Sequence, residues 1–412
     1  MIVGGGAAGL ATAIFCARIA TGRHVVCVDG ARSVGAKILV SGGTRCNVTN
    51  ASVTERDFWG GDGRIVRGVL RAFPADRAVA LFEELGVPLH EEEDGKLFPD
   101  TNRARTVLEA LVRELERRGG ELHTSRRIVI LNRSDGRFTL ETTAGVSYEA
   151  DLVVLATGGR SLPKTGSDGT GYELARRLGH GYVETTPALV PLLLNDSNHQ
   201  RLAGVTQAAE IVLRVGGRIA IRLTGSMVWT HFGASGPLVL NASRHWLRAR
   251  LDDLSPEVAL NLLPGETFES VDAWLRDQAR LRPRASVRGV LASKLPTAVA
   301  DAWLDSVHVD GTTPMAHLER ESRRVLVRAL IETPLAVTES RGYNYAEVTA
   351  GGIPLTEVDP ATLESRVCPG LFLTGEMLDV DGRLGGFNFQ WAWSSAWVAA
   401  NAVARRLAVT HP

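Results

Sequence analysis

Reduced to apolar and polar positions, the chain opens with Met1, Ile2 and Val3, a Gly-rich turn, a small-residue apolar helix over residues 10–20, and an apolar strand over 24–28 ending at Asp29. That order predicts a βαβ unit with a parallel sheet, with Gly22 placed to stop the helix. Three residues are few for a first strand, which usually has ~5–6. The strand is therefore expected either to be short and weakly held or to have its true start upstream. Residues 30–52 lack periodicity and are expected as a long polar loop. Helical spacing returns over 64–85, broken by Pro74, and residues 87–98 read as a short hairpin. An amphipathic helix over 105–118 leads into strands at 121–124, 127–132, 138–142 and 146–149, with Asp135-Gly136 as a hairpin turn. Residues 152–156 read as a buried parallel strand running into Thr157-Gly158-Gly159, and a second Gly-rich turn at 165–171 precedes a helix from Tyr172.

Pro187 marks a change of pattern. Segments 189–194, 204–215, 218–224 and 226–232 alternate as strands do, with Gly216-Gly217 as a hairpin turn. From Thr267 to about Glu332 the spacing is helical. The first style then returns, with 347–349 leading to Gly351-Gly352, an apolar strand over 371–374 meeting Gly375-Glu376, and Gly385-Gly386 opening a Trp- and Ala-rich helix over 389–407. No second G-x-G-x-x-G follows a strand, so no dedicated nicotinamide domain is expected.

These turns carry the candidate chemistry. Gly4, Gly6 and Gly9 have the G-x-G-x-x-G spacing: a tight turn, room for a pyrophosphate, and close helix-on-strand packing. Asp29 stands ~20 residues beyond, where a carboxylate can take a ribose hydroxyl. Thr157 and Gly158 follow a parallel strand and should face the same ligand. Ser41, Gly42, Gly43, Arg45, Cys46 and Asn47 offer backbone and side-chain donors, and the Gly385-Gly386 helix start offers bare N–H groups.

Charge narrows the classes. The 412 residues carry 46 basic and 46 acidic side chains, a net charge of zero, so no bulk attraction to nucleic acid or membrane is expected. Four cysteines without a C-x-x-C pair fit reduced thiols, and no metal site is assigned. No apolar run reaches ~18 residues and no leader pattern precedes the first strand, so a cytoplasmic protein away from membranes is expected.

The segments GGGAAG (residues 4–9), SGGTRCNVTN (41–50), ATGGRSLPKTGSDGTGY (156–172), THFGASGP (230–237), EVTAGGI (347–353) and TGEMLDVDGRLGGFNFQWAWSSAW (374–397) together resemble a known family. It is that of the bacterial aminoacetone-oxidase or BaiN-like NAD(P)/FAD-dependent oxidoreductases, which look like distant relatives of the fumarate reductase and aspartate oxidase flavoproteins and of the tRNA-modifying flavoproteins. The resemblance implies an α/β fold with a Rossmann-like FAD domain of the two-dinucleotide-binding type, made of residues 1–186 and 343–412. An insertion over 187–342 would hold a β-barrel-like part (187–264) and a small helical part (265–342). By position, Gly4, Gly6, Ala7, Ala8 and Gly9 would contact pyrophosphate, Asp29 the ribose, and Ile128 the adenine through its backbone. Lys37, Ser41, Gly42, Gly43, Arg45 and Cys46 would line the ribityl and flavin region. Gly375, Glu376 and Asp379 would take ribityl or phosphate oxygens, and Gly386, Phe387 and Asn388 would lie along the flavin N1–C2=O edge. Thr44 stands where the family usually has a third Gly, which questions close backbone approach there.

An FAD-dependent oxidoreductase transferring a hydride through flavin N5 to or from a small organic substrate is the function expected, with NAD(P)H, oxygen or another carrier open as electron donor or acceptor. A nucleic-acid-handling flavoprotein like the tRNA-modifying relatives and a non-catalytic flavin binder are the alternatives. His231 is the first choice for proton transfer, imidazole being the side chain poised near neutral pH, with a structural turn histidine as the alternative. Arg45 is placed to hold a substrate carboxylate, the FAD or its own loop. Cys46 is expected as a packed thiol in preference to a redox-active thiol or a flavin adduct, since no partner cysteine is near, and Trp391, Trp393 and Trp397 as core in preference to a ligand-facing wall. Tyr343 and Tyr345 are hinge or substrate contacts.

Overall fold

A strand of two residues holds the centre of the main parallel sheet. The computed structural model describes residues 1–20, 22–195 and 198–410. The chain runs through β1 (Ile2–Val3), α1 (Ala7–Ile19), β2 (Val26–Val28), α2 (Ala36–Thr44), α3 (Ala104–Arg117), β3 (Glu121–His123) and β4 (Val153–Leu155). It continues through β5 (Leu192–Leu194), β6 (Thr206–Val215), β7 (Arg218–Thr230), β8 (Gly233–Ser235), α4 (Pro237–Leu251), β9 (Pro256–Asn261), β10 (Thr333–Pro334) and β11 (Val337–Ser340). Then come β12 (Leu371–Leu373) and α5 (Phe387–Thr410), with shorter elements between. Met1–Pro187 and Ala346–Pro412 form one compact unit, and Ala188–Tyr345 a second.

In the first unit the sheet order is β12-β4-β1-β2-β3, with every pairing parallel. β1 pairs on both sides, Ile2 with Cys27 and Val154, and Val3 with Val28 and Leu155. Two-sided pairing and full burial hold a strand that would be marginal at an edge. Helix α1 is buried at nine consecutive positions from Ala8 to Cys16, because the sheet, α3 and α5 cover it from different sides. Its Phe15 ring meets Trp397 of α5 edge-on at 5.1 Å. Trp391 and Trp393 are fully buried, and their indole N–H groups donate to the carbonyls of Gly375 and Val48. Beneath α1, Glu114 of α3 is 4% exposed and takes hydrogen bonds from Arg18, Arg117 and Arg118. Burial alone would raise this carboxyl, but the three guanidinium groups bring it down to about 2.

Residues 30–52 differ from the loop expected of them. The run AKILV forms the helical part of α2 with Ile38 buried. Ser41 then leaves helical geometry and Gly42 and Gly43 turn left-handed, so the polar tips follow a short helix. Pro74 separates the helices Gly63–Ala72 and Ala75–Glu84, acting as N-cap of the second. Asp135 and Gly136, both at positive φ, turn the chain between strands Ile128–Ser134 and Arg137–Thr142.

The second unit is a seven-stranded sheet, ordered β10-β9-β6-β7-β8-β5-β11 and antiparallel throughout. Its two edge strands, β10 and β11, are joined by Leu335 and Ala336 alone, so the sheet has rolled until its edges lie close together. Where two strands were expected over 218–232, β7 is one 13-residue strand. Gly225 stays in the ladder opposite Ala209, and the absent side chain leaves space against Leu238 of α4, 3.5 Å from a built Cβ. Helices Phe268–Leu281, Val287–Leu291, Thr297–Ser306 and Arg320–Ile331 follow. Among the described residues, no helix is long and apolar enough to cross a membrane.

Candidate functional site

The turn after β1 combines tight packing with one open face. A Cβ at Gly9 would lie 1.7 Å from the Gly4 carbonyl oxygen, so only glycine lets α1 start this close to the strand. A Cβ at Gly6, the N-cap, would meet nothing within 4 Å. The N–H groups of the first turn of α1, from Ala7 and Ala8 on, lack intrahelical partners and face an approach that no side chain obstructs. Asp29, at the end of β2, accepts from Gly5 N at 2.6 Å and Ala31 N at 2.7 Å, which fixes its carboxylate beside the turn. Gly375 follows β12 at positive φ, and a Cβ there would lie 2.7 Å from the Ala8 Cβ. Thr157 and Gly158 follow β4, with the Thr157 hydroxyl on Met377 Sδ at 2.7 Å.

A second group joins the end of α2 to the start of α5. Asn50 donates to the Gly385 carbonyl at 3.0 Å, and Thr49 Oγ1 meets Gln390 Oε1 at 2.6 Å. A Cβ at Gly386 would lie 2.3 Å from the Thr49 carbonyl and 2.9 Å from Asn47 Oδ1. Asn47 is 8% exposed and its Oδ1 has no partner among the described residues, a buried acceptor beside the Gly386 helix start. Residues 341 positions apart in the chain thus form one polar surface.

A third set of residues forms an ion-pair network, with Glu376 next in the chain to Gly375. Lys37 Nζ bonds Glu376 Oε2 and Ser161 Oγ, each at 2.5 Å. Glu376 Oε1 accepts from Ser161 Oγ at 2.9 Å and Thr349 N at 2.8 Å. Ser161 also reaches the Glu347 carbonyl at 3.2 Å. Burial raises the Glu347 carboxyl above the usual range, with the Lys37 charge opposing the shift. Asp379 is tied through its backbone to Gly61 and Ile353.

An open glycine turn, a helix N-terminus, an unpartnered buried amide oxygen and a bare second helix start are donors and acceptors that fit a dinucleotide with a planar polar head. A family model described as HI0933-like protein Rossmann domain matches residues 1–402.

The chain belongs to the HI0933-like family.

Among curated relatives, the 3-dehydro-bile acid delta(4,6)-reductase of Clostridium scindens is 34% identical over 98% of this chain and 98% of its own length. The ribosomal RNA dihydrouridine synthase of Escherichia coli is 32% identical over 97% of this chain and 96% of its own. Among solved structures, FrdA of Escherichia coli quinol fumarate reductase superposes with a TM-score of 0.52 at 17% identity, covering 100% of this chain and 70% of that chain, a likeness of fold. This HI0933-like chain therefore has a Rossmann-like α/β fold of the flavoprotein kind.

Several expected site residues use their side chains elsewhere. Arg45 pairs with Glu92 at 2.6 Å and stacks on Phe98 at 4.0 Å, so its guanidinium is committed to its own loop and hairpin. Cys46 is fully buried and burial pushes its thiol up to about 12, which keeps it protonated and unreactive. Phe387 is fully buried against Phe58, and the Asn388 amide spends both ends on the Gly382 backbone, leaving only main-chain groups of these two for a ligand. Ser41 Oγ donates to the Ile38 carbonyl. Ile128 is 4% exposed at the start of its strand. Thr44 takes φ +70, a left-handed conformation costly for a β-branched residue. His231 lies in the second unit, exposed on the turn between β7 and β8.

Sequence reading missed Ser161, Thr349 and the Lys37–Glu376 pair. A serine after a Gly-Gly turn and a threonine before one carry no spacing signal of their own. The chain also contains Ser365, His180 and Glu357 linked at 2.8 and 2.7 Å in the order of a hydrolase triad. Ser365 is 4% exposed and its oxygen already accepts the amides of Val367 and Cys368, so it offers no nucleophile to solvent.

Proposed function

We propose that the protein transfers a hydride through flavin N5 to or from a small organic substrate containing a carbon–carbon double bond conjugated to a carbonyl. It is an FAD-dependent oxidoreductase: the family match, a full-length reductase relative and the flavoprotein fold agree. The observation that carries the substrate reading is the pairing of two relatives, one named as a delta(4,6)-reductase and the other as a dihydrouridine synthase. Both names describe saturation of a ring double bond. Such a reduction needs a hydride at the carbon remote from the carbonyl and a proton at the carbon next to it.

Bound FAD would supply the hydride. Gly4, Gly6, Ala7, Ala8 and Gly9 would hold its pyrophosphate, Asp29 a ribose hydroxyl and Ile128, by its backbone, the adenine. Gly42, Gly43, Asn47, Thr157, Gly158, Gly375, Glu376 and Asp379 would hold the ribityl and inner phosphate, and the Gly385, Gly386, Phe387 and Asn388 amides the polar edge of the ring. Lys37, neutralised by Glu376, would sit within hydrogen-bond reach of ribityl oxygens. A helix start aimed at developing negative charge is arranged before reaction and costs no reorganisation. His231 is proposed as the proton donor in the substrate half-reaction, and NAD(P)H as the electron donor.

Anaerobic mixing with NADH or NADPH, then with a 3-oxo-4-ene steroid or another conjugated enone, tests the reading. Bleaching and recovery of the flavin absorbance is the expected result. A yellow protein bleached by neither nicotinamide, or recovered by no enone, would remove it.

A second reading, reduction of uracil in RNA, rests on the Escherichia coli relative. It gains some support from the run Arg276, Arg280, Arg282, Arg284 and Arg288, in which Arg282 and Arg284 are exposed and form no ion pair among the described residues. RNA binding that weakens steeply with salt is its signature.

A further inference from the structure

We propose that Arg341, clamped between Phe232 and Tyr345, forms a binding site in the second unit for an oxyanion able to accept two parallel hydrogen bonds, a carboxylate or a phosphate. The three residues come from two places. Phe232 sits in the turn between β7 and β8, and Arg341 follows β11, which reaches β8 through β5 in the sheet. Arg341 N donates to the Pro191 carbonyl at 3.0 Å, anchoring the backbone. Its guanidinium carbon then lies 4.4 Å from the Phe232 ring centre and 3.5 Å from that of Tyr345.

Rings on both faces of a guanidinium leave only its edge open, and the edge carries all five N–H donors in one plane. In this sheet Arg214 is paired with Glu332 at 3.0 Å and Arg222 with Glu210, while Arg218, exposed beside the hairpin turn, has no ion pair among the described residues and no ring on it. Arg341 has no acidic partner among the described residues. Its charge is thus held rigid, stripped of water on two faces and unmatched, which is the state of a cation prepared for an incoming anion. Tyr345 is 51% exposed, so the open side of the clamp is reachable from solvent. His231, also exposed, packs edge-on against Phe232 with centroids 5.0 Å apart, so a second N–H donor borders the same ring.

As an anion site this needs nothing from the flavin; as the site that recognises the substrate it rests on the oxidoreductase reading. The full-length protein is titrated calorimetrically with a 3-oxo-4-ene steroid carboxylic acid, with its neutral methyl ester, and with a short single-stranded RNA. The native protein is expected to bind the acid ~10-fold or more tightly than the ester, or to bind the RNA, each being the effect of one charge-assisted bidentate pair. Arg341→Gln should bring acid and ester within ~2-fold or reduce RNA binding ~10-fold, and Arg341→Lys, which keeps the charge without the fork, should fall between. The acid arm responding identifies a carboxylate, and the RNA arm a phosphate. Equal binding of acid and ester with no Arg341-dependent RNA binding overturns the proposal, as does discrimination that survives in Arg341→Gln. Thermal melting of each variant checks folding, and Tyr345→Ala, an exposed change expected to weaken the anion ~3-fold or more, repeats the test without touching the charge. Loss of flavin from the native protein would sink the oxidoreductase reading and leave this binding comparison intact.

Discussion

The two units offer ligands different kinds of surface. The first presents backbone: a glycine turn packed to 1.7 Å at one position and open at another, two bare helix starts, and charges such as Lys37 and Asp29 already tied to neighbours. The second presents side chains: Arg341, without a counter-ion among the described residues, between two rings, with His231 beside them. A surface made of main-chain amides suits a ligand that never changes, because the amides are set once the fold forms. A surface of side chains can be altered without disturbing the ladder beneath it. Relatives named for a bile acid and for ribosomal RNA match this chain along nearly their full length.

Substitutions at the glycines should break the first surface in two separable ways. Gly9→Val places a side chain where 1.7 Å is available, and the expected cost of ~4 kcal/mol or more should show as loss of soluble, cooperative unfolding. Gly6→Val meets no protein atom, so its melting temperature should match the native apoprotein while FAD affinity falls at least ~100-fold by blocked phosphate approach. A yellow, folded Gly6→Val would show that the pyrophosphate lies elsewhere.

The support beneath that surface is electrostatic. Glu114→Gln leaves three arginines without their buried carboxylate and should cost ~3–5 kcal/mol in urea unfolding. In the native protein this carboxyl is lowered from 4.5 to about 2, so its contribution is present above the unfolded value. It is lost as pH falls from about 4.5 through 2, and denaturation midpoints across that window should track it in the native protein and not in Glu114→Gln.

On the second surface, His231→Ala should leave flavin content unchanged while slowing the substrate half-reaction ~100-fold. An unchanged rate with a true substrate would reduce His231 to a turn residue. The smallest effect sharpens the first surface again. Thr44→Gly removes left-handed strain of ~1–2 kcal/mol but adds chain entropy of ~0.5–1, for a net gain of ~1 kcal/mol in stability.

What could be read from sequence follows from what each feature depends on. The βαβ start, the Asp135-Gly136 and Gly216-Gly217 hairpins, the Pro74 break and the family membership all rest on local spacing or on contiguous motifs. The helical part of α2 was missed because one apolar turn, AKILV, is too short to display a period. Arg45 was hidden in another way: its partner Glu92 lies outside every quoted motif, while Asn388 and its partner Gly382 share one whose spacing does not say that they bond each other.

The sequence by itself determined where glycine must stand, where the βαβ start and the two glycine hairpins lie, and that an acid ends the second strand, since those depend on neighbours a few residues away. Only the tertiary structure decided that a two-residue strand could be central, that Lys37 belongs to Glu376, and that Arg341 lies between Phe232 and Tyr345. Each of those includes a contact across more than a hundred residues or a sum of pairings from several strands. Charge neutralisation and burial are properties of the three-dimensional neighbourhood, and no window along the chain contains that neighbourhood.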